Sequence, residues 1–205
     1  MTDRRTFLKT GITALALPTV ARTAFSIPVY DSIEAQQENL ITPYKVIFDE
    51  RFQDSVAFAD AAAKLGTTTH GIRGDITDLW YHDLYHEWKK GPAPIMGMTD
   101  EASLFCLQTL AQDQRMRVVF RVDHTFLSAN QIEHVITGTT GMPKEVANLC
   151  DDGRAWNVRM SNVVLQCADN RVKPTTTRVV TRLDRQAANQ DKLVSWVIAP
   201  LKKSS

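Results

Sequence analysis

Cysteine is scarce in this sequence, whose 205 residues include three, an odd number. No two of them have the C-x-x-C spacing, or any other cysteine spacing, that is typical of a metal site. Cys106 lies in the most apolar helical segment, which predicts a small buried residue. Cys150 and Cys167 are predicted either to form a disulfide in an oxidising compartment or to be two buried thiols.

An excess of charge of one sign is also lacking. The 24 basic and 23 acidic residues leave a formal net charge of +1, and no basic stripe is interleaved with aromatic residues. This balance gives no reason to expect a nucleic-acid partner. With 43% hydrophobic and 23% charged residues, the composition is that of an ordinary soluble protein, long enough for one domain with a sizeable core.

Motifs that would name a reaction are missing as well. The sequence contains no G-x-S-x-G nucleophile elbow and no H-E-x-x-H pair of zinc ligands. The segment Gly138-Thr139-Thr140-Gly141 is too short and too badly spaced for a phosphate-binding loop, so it predicts a plain turn. The chemistry must therefore be sought in the placement of individual residues.

The N-terminus carries the most informative local pattern. The run Arg4-Arg5-Thr6-Phe7-Leu8-Lys9 is followed by a short, mildly apolar segment from Gly11 to Val20. This order resembles that of twin-arginine (Tat) signal peptides, with Asp3 where Ser or Thr is commoner. The apolar segment is too short and too weakly apolar to predict a membrane span, and none is expected in the mature protein.

The resemblance implies a signal peptide over residues 1–24, cleaved after Ala21 or Ala24, and export of the folded protein to the periplasm. Proteins exported in this way carry a cofactor, travel bound to a partner that carries one, or fold too fast for the unfolded-chain route. The resemblance thus favours a co-exported protein partner and names no cofactor. Residues 25–42 are predicted to be a linker, and residues 43–205 a single domain.

Short apolar runs alternate with helix-like segments between residues 44 and 124. The predicted strands span 44–48, 67–72, 93–97 and 116–122, and the predicted helices span 54–65, 75–90 and 102–112. Repetition of strand, helix and strand favours parallel pairing with helices covering the sheet. The sequence therefore predicts an α/β fold, a three-layer sandwich with a mostly parallel sheet and helices on both faces.

The alternation ends after His124. Residues 132–136 are predicted to form a strand that pairs antiparallel with the preceding one. A short helix is predicted from Pro143 toward Cys150, and a longer one from Ala155 because apolar residues recur there at helical spacing. Residues 175–183 and 193–199 are predicted to close the domain as an antiparallel hairpin.

Polar residues follow the predicted parallel strands at their carboxyl ends, where ligands bind in such sheets. Helix N-termini and two arginines at this edge would favour a small anionic ligand, unless the polar residues are only caps and surface ion pairs. The ligand-binding candidates are Asp49, Arg51, Arg73, Gly74 and Thr99. The catalytic candidates are His124, as a general acid or base, and Asp75, which would pair with Asp49 if their strands were adjacent.

Two further expectations concern histidines. Strand alternation sends Asp123 and His124 to opposite faces, so these neighbours are not expected to form a dyad. Asp78, His82 and His86 are spaced four residues apart on the predicted helix 75–90 and could hold a divalent transition metal, or could simply form a solvated helix flank.

Three functions follow from these patterns, in descending order of support. The first is an exported accessory or binding protein, a companion of a cofactor-bearing enzyme. The second is an enzyme or receptor for a small anionic molecule at the strand ends. The third is a metal-binding protein that uses His82 and His86.

Overall fold

A computed structural model describes residues 40–138, 156–167, 175–182 and 192–200. The predicted signal peptide and nearly all of the predicted linker lie outside these residues. The predicted short helix after Pro143 and Cys150 also lie outside them, and with Cys150 the predicted Cys150–Cys167 disulfide.

The described residues form seven strands and several helices. The strands are β1 (Lys45–Asp49), β2 (Thr69–Ile72), β3 (Ile95–Thr99), β4 (Met116–Ser128), β5 (Gln131–Gly138), β6 (Thr175–Arg182) and β7 (Leu193–Pro200). The helices are α1 (Gln53–Lys64), α2 (Thr77–Leu79), α3 (Tyr85–Trp88), α4 (Glu101–Gln112) and α5 (Trp156–Leu165). A π-helical turn, Trp80–Leu84, joins α2 to α3, and residues 77–88 are called the π-turn helix below. The α/β class and the order of the core elements agree with the prediction.

All seven strands belong to one sheet, in the order β2–β1–β3–β7–β4–β5–β6. β1 pairs in parallel with β2 and with β3. The pairs β3–β7, β7–β4, β4–β5 and β5–β6 are antiparallel. The prediction of a mostly parallel sheet is therefore wrong. β4 does run in the same direction as β1 to β3, but β7 lies between it and β3.

The position of β7 also overturns the predicted closing hairpin. β6 and β7 do not pair with each other, because β6 is at an edge of the sheet and β7 is in its middle. The physical reason lies in their residues. β7 is buried at every position except Pro200, whereas β6 is rich in Thr and Arg and mostly exposed. An apolar strand gains most from covered faces, and a polar strand tolerates an edge.

Two hydrophobic clusters lie on opposite faces of the sheet, because neighbouring strand residues such as Val46 and Ile47 point in opposite directions. The first core contains residues of α1 and α5, and the second core contains residues of the π-turn helix and α4. On β5, Glu133 and Val135 belong to neither cluster. Helices thus contribute to both faces over part of the sheet, and a three-layer sandwich is not confirmed for the whole domain.

The helix boundaries follow from local chemistry. α1 is followed by Gly66, whose φ of +85° is the left-handed conformation that glycine adopts readily after a helix. α4 starts after Asp100, whose carboxylate accepts a 2.8 Å hydrogen bond from the Ser103 amide. Thr99, the residue before Asp100, is the last residue of β3. In the described parts of the chain, no helix has the length and apolar character needed to cross a membrane.

The outer side of α4 corrects the prediction for Cys106. The segment is apolar around most of its girth, which predicted a buried helix. In the structure Leu104 and Leu107 are buried in the second core, whereas Phe105 is 67% exposed and Cys106 is exposed. α4 therefore packs along one side only, and Cys106 faces away from the core.

Candidate functional site

Arg51 is the central residue of the predicted strand-end site. Its Nε lies 2.9 Å from Oδ1 of Asp49, and its Nη2 lies 2.6 Å from Oδ2 of Asp49 and 2.7 Å from Oδ2 of Asp100. Asp49 is fully buried at the end of β1, and Asp100 caps α4 directly after β3. One guanidinium therefore joins the end of β1 to the start of α4. Hydrogen bonds to the two carboxylates raise the pKa of Arg51.

Neighbouring contacts hold this bridge in place. The Ser55 hydroxyl accepts a 2.8 Å hydrogen bond from the Asp49 amide and donates to the Met98 carbonyl at 2.5 Å. Gly74 has a φ of +79°, and a Cβ there would lie 2.6 Å from Cζ of Arg51. Thr99 is buried beside this edge and accepts a 3.1 Å hydrogen bond from Nε1 of Trp196. The structure thus gathers Asp49, Arg51, Gly74 and Thr99 at one edge, as predicted.

Arg73 and Asp75 make fewer contacts with the other residues of this edge. Arg73 is 80% exposed, and its Nε lies 3.8 Å from a carboxylate oxygen of Glu50. Asp75 is exposed, and hydrogen bonds from the side chain and the amide of Thr77 lower its pKa. Because Asp75 is exposed whereas Asp49 is buried, the predicted carboxylate pair finds no support.

The arginines of this edge are matched by acids, which changes its electrostatic character. Arg51 is bound to two carboxylates, and burial, which alone would raise the pKa of Asp100, is outweighed by hydrogen bonds from Ser103 and Arg51 that lower it. Further along, Arg121 pairs with Asp123 at 2.7 Å and with Glu101 at 2.5 Å. An anion would have to displace these carboxylates to reach the guanidinium groups, so the edge is a closed ion network.

His124 does not lie at a strand end, in contrast to the prediction. β4 continues to Ser128, because it is extended by the hairpin with β5, so His124 is in mid-strand and fully buried. Asp123 points to the other face, as predicted, where it pairs with Arg121 and with Lys192 at 3.1 Å. The predicted position of His124 at the strand-end edge is therefore wrong, and its role as a general acid or base stays a prediction.

His124 belongs instead to a buried polar cluster in the first core. Its Nδ1 lies 2.7 Å from Nδ1 of His134, and its Nε2 lies 2.7 Å from the Ser195 hydroxyl. The ring centroid of Trp156 lies 4.7 Å from that of His124 and 5.1 Å from that of His134. Nε2 of His134 is buried without a hydrogen-bond partner. Sequence reasoning considered neither His134 nor Ser195 as part of a site with His124.

The electrostatics of the cluster keep both rings neutral. Burial lowers the pKa of His124 well below its usual value, and a charge on the neighbouring His134 would lower it further. Burial lowers the pKa of His134 to about 4. The order of hydroxyl, imidazole and second polar group is also the order of a nucleophile, its base and an orienting group. Ser195 is fully buried in the central strand of the sheet, however, so this conformation gives a substrate no path to its hydroxyl.

The predicted metal ligands lie on the exposed side of the π-turn helix. His82 is 77% exposed, and its Nε2 is 3.5 Å from Oδ1 of Asp78. His86 contacts the ring of Tyr85 edge-on at a centroid distance of 5.4 Å. Within the described segments, no three side chains of the His, Cys, Asp and Glu types are grouped closely enough to hold a metal ion. In the described structure, His82 therefore contacts Asp78, His86 contacts Tyr85, and these residues do not form one metal site.

A tether between the π-turn helix and β1 was not predicted. Asp83, in the π-helical turn, accepts a 2.6 Å hydrogen bond from the Tyr44 hydroxyl and forms an ion pair with Lys45. Burial lowers the pKa of Lys45, although the charge of Glu87 opposes that shift. Asp83 follows His82 directly in the sequence, but no local pattern there indicates a contact between Asp83 and the start of β1.

The most exposed aromatic residues of this helix form what we call the tyrosine surface, made of Tyr81 and Tyr85. Tyr81 is 62% exposed and Tyr85 is 38% exposed. The ring of Tyr85 packs edge-on against Trp80 at 5.6 Å, and Nζ of Lys89 lies 4.0 Å from its centroid. Tyr85 is thereby held in place although it faces outward.

Comparison of the chain with protein-family models, with curated proteins and with solved structures finds no match.

Proposed function

We propose that the protein is an exported accessory protein that binds a co-exported protein partner, such as a cofactor-bearing enzyme, through the tyrosine surface. The periplasmic location rests on the twin-arginine motif, Arg4-Arg5-Thr6-Phe7-Leu8-Lys9. The binding role rests on one observation, the outward-facing Tyr81 and Tyr85, of which the fold holds Tyr85 in place through ring and cation contacts. Tyr and Trp dominate the binding energy of protein interfaces because they offer a large contact area with few rotatable bonds.

The preorganisation of Tyr85 is what distinguishes it from an ordinary exposed apolar residue. Single exposed hydrophobic side chains are common and need no explanation. Tyr85, by contrast, is contacted by Trp80, His86 and Lys89, so its ring loses little conformational freedom when a partner binds. Trp80 is itself anchored edge-on to the buried Trp88 at 5.8 Å. The ring contacts from Trp88 through Trp80 to Tyr85 therefore connect the buried second core to the tyrosine surface.

The π-helical turn also supports a binding role. The Tyr85 amide donates to the Trp80 carbonyl, five residues earlier, so the turn is wider than an α-helical one. Such turns are rare and are frequently found at functional sites. Here the turn places Leu84 in the core, Asp83 against β1 and Tyr81 in solvent. The widened turn thus separates anchoring residues from the outward-facing ones.

Replacing both Tyr81 and Tyr85 with serine is expected to weaken partner binding by at least about thirtyfold, the effect of losing one interface residue worth roughly 2 kcal/mol. The tagged protein would be recovered from the periplasm of its own host, and the partner identified and its stoichiometry measured by native mass spectrometry. Val158→Ser is the matched control, because Val158 is 37% exposed on α5, which contributes to the opposite core.

A stoichiometric partner that is retained by wild type and by Val158→Ser but lost by the double tyrosine variant would support the proposal. A partner bound equally by all three proteins would place the interface elsewhere. A wild-type protein recovered alone would contradict the accessory role.

Replacing Arg4 and Arg5 with lysine is expected to remove the protein from the periplasm, because the resemblance to twin-arginine signal peptides rests on the arginine pair and lysine keeps only its charge. Cell fractionation and immunoblotting would follow the full-length and the processed forms. Asp3→Ser, which introduces the commoner residue before the pair, is expected to leave export intact. Unchanged periplasmic protein in the double lysine variant would exclude this route.

A further inference from the structure

The buried histidines join three strands and a helix at one point. His124 on β4 and His134 on β5 are directly opposite in the strand register, and Ser195 lies on β7, the other neighbour of β4. Trp156, the first residue of α5, contacts both imidazole rings. The three strands are also tied by backbone ladders, whereas α5 depends on side-chain packing for its position. Trp156 therefore links the position of α5 to the protonation state of the two imidazole rings.

Proton counting shows which protonation states fit the hydrogen bonds of the cluster. The 2.7 Å separation of the two Nδ1 atoms requires one donor and one acceptor. With both rings neutral, His124 can donate from Nδ1 and accept at Nε2 from the Ser195 hydroxyl, while His134 keeps its own proton on Nε2. If His134 donates instead, His124 donates from Nε2 to Ser195. One added proton fits the same hydrogen bonds but leaves an imidazolium buried in the first core, and two added protons would also place two N–H groups face to face.

The described surroundings of the pair offer no compensation for such a charge. On β4 and β5 the charged residues Asp123 and Glu133 point to the other face, where Arg121 and Arg178 pair with them. Lys192, directly before β7, pairs with Asp123. Among the described residues, no carboxylate contributes to the pKa shift of either histidine.

The helices that close the first core add few ionisable groups. α5 carries Arg159, which is half-buried, and Cys167 follows α5 as a buried thiol. Asp54 of α1 accepts a 2.8 Å hydrogen bond from Asn157, the neighbour of Trp156. The pKa shifts of the two histidines arise from burial and, for His124, from the neighbouring His134. Within the part of the chain that the structure describes, a proton that enters the pair therefore meets no acidic partner.

We propose that His124 and His134 form an acid-sensitive latch, which holds α5 against the sheet while both rings are neutral and releases α5 when either ring takes up an additional proton. Release hydrates the protonated ring without requiring the strands to separate, because Trp156 of α5 packs against both rings. This device is independent of the proposed partner binding, which uses the opposite side of the sheet.

The direction of the pH effect follows from the shifted pKa values. His134 has a pKa of about 4 in the closed form and about 6.5 when it is exposed. Between these values the open form binds more protons than the closed form, so the closed form is fully stable above about pH 6.5 and loses stability as the pH falls toward 4. For His134 alone, the equilibrium constant for opening rises on the order of twentyfold between pH 7 and pH 5.

Hydrogen exchange of the α5 amides, followed by NMR between pH 7 and pH 5, tests this latch. After correction for intrinsic exchange rates, protection of α5 is expected to fall about twentyfold, while protection of α4, in the other core, changes much less. The exposed-histidine variant His82→Gln should behave like wild type. The variant with His124→Phe and His134→Phe, which keeps two rings but cannot titrate, should lose the acid-dependent opening of α5.

A second readout uses wild type alone, in case the double phenylalanine variant does not fold. The protonation of His124 and His134, measured from imidazole nitrogen shifts, should follow the opening of α5. The latch is overturned if the rings take up protons while α5 stays protected, if α4 opens in parallel with α5, or if the folded double phenylalanine variant keeps the full pH dependence.

Discussion

Gly97→Ala is expected to destabilise the protein by about 3 kcal/mol, a cost at the upper end of the range for overpacking a well-filled core. Gly97 lies in the middle of β3, between β1 and β7. A Cβ at this position would collide with the carbonyl oxygen of Ile47 and would lie 2.7 Å from the ring of Trp196. Neither neighbour can give way easily, because one is strand backbone and the other is a fully buried indole.

The indole is fixed by a specific contact in addition to packing. Nε1 of Trp196 donates to the Thr99 hydroxyl at 3.1 Å, so a displaced ring would leave a buried N–H without an acceptor. Equilibrium unfolding in urea would measure the loss of stability for Gly97→Ala. The expected result is a lower transition midpoint with an unchanged slope.

Gly71→Ala is the matched control, because Gly71 also lies in a strand of the same sheet. The atoms that a Cβ there would meet belong to the side chain of Glu50, which is flexible and can turn into solvent. A change below about 1 kcal/mol is therefore expected for Gly71→Ala, since alanine also suits a strand better than glycine does. Equal effects of the two substitutions would show that the contact with Trp196 and Ile47 is not the cause.

Arg51→Met should destabilise the protein by about 3 kcal/mol, the lower end of the range for breaking a buried ion pair. The substitution leaves the fully buried carboxylate of Asp49 without its three guanidinium hydrogen bonds. It also removes the link to Asp100 at the start of α4. The lower end applies because Arg51 is 42% exposed, so water can partly replace the lost donors.

Two further variants separate the buried charge from the packing of the arginine. Arg73→Met removes an arginine that is 80% exposed with a carboxylate 3.8 Å away, and should change stability by less than about 0.5 kcal/mol. Adding Asp49→Asn to Arg51→Met should restore part of the stability, because an amide is less costly to bury than an unpaired carboxylate. Urea unfolding measures all three, and a double variant less stable than Arg51→Met would contradict this account.

The α/β core was predictable from local patterns. The predicted helix 75–90 contains the π-turn helix, whose Leu79, Leu84 and Trp88 are buried. The hydrophobic period could not reveal the π-helical turn inside that helix, since the turn depends on where Asp83 meets β1. Periodicity reports which side of a segment is covered, and it carries little information about contacts between distant segments.

The topology failed where it depended on long-range pairing. β7 and β6 looked alike as β-rich runs, and a short connection suggested a hairpin. The apolar character of β7, with Val194, Trp196 and Ile198 on one face and Leu193 and Val197 on the other, was a sign of a central strand. That sign was readable in the sequence and outweighs proximity along the chain.

The candidate site was predicted in part for a similar reason. Strand ends of a parallel sheet meet at one edge whatever their order, so Asp49, Arg51 and Gly74 could be grouped correctly. The sequence could not reveal that Arg51 pairs with the carboxylates of Asp49 and Asp100, because it does not give the distances between these side chains. The contact between the two histidines could have been predicted from the sequence, because a hairpin centred on Ala129 and Asn130 places His124 opposite His134.

β7 joins two groups of strands that are otherwise separate. Before β7 is made, the parallel group β2–β1–β3 and the antiparallel group β4–β5–β6 share no backbone ladder, because each group is completed by pairing with β7. The β3–β7 contacts join residues about 100 positions apart in the sequence. Closure of the sheet must therefore wait until β7 has been translated, and it proceeds with the slowness typical of distant strand pairing. A ribosome-bound chain that stops before Leu193 would hold two half-sheets, each with an apolar edge still open.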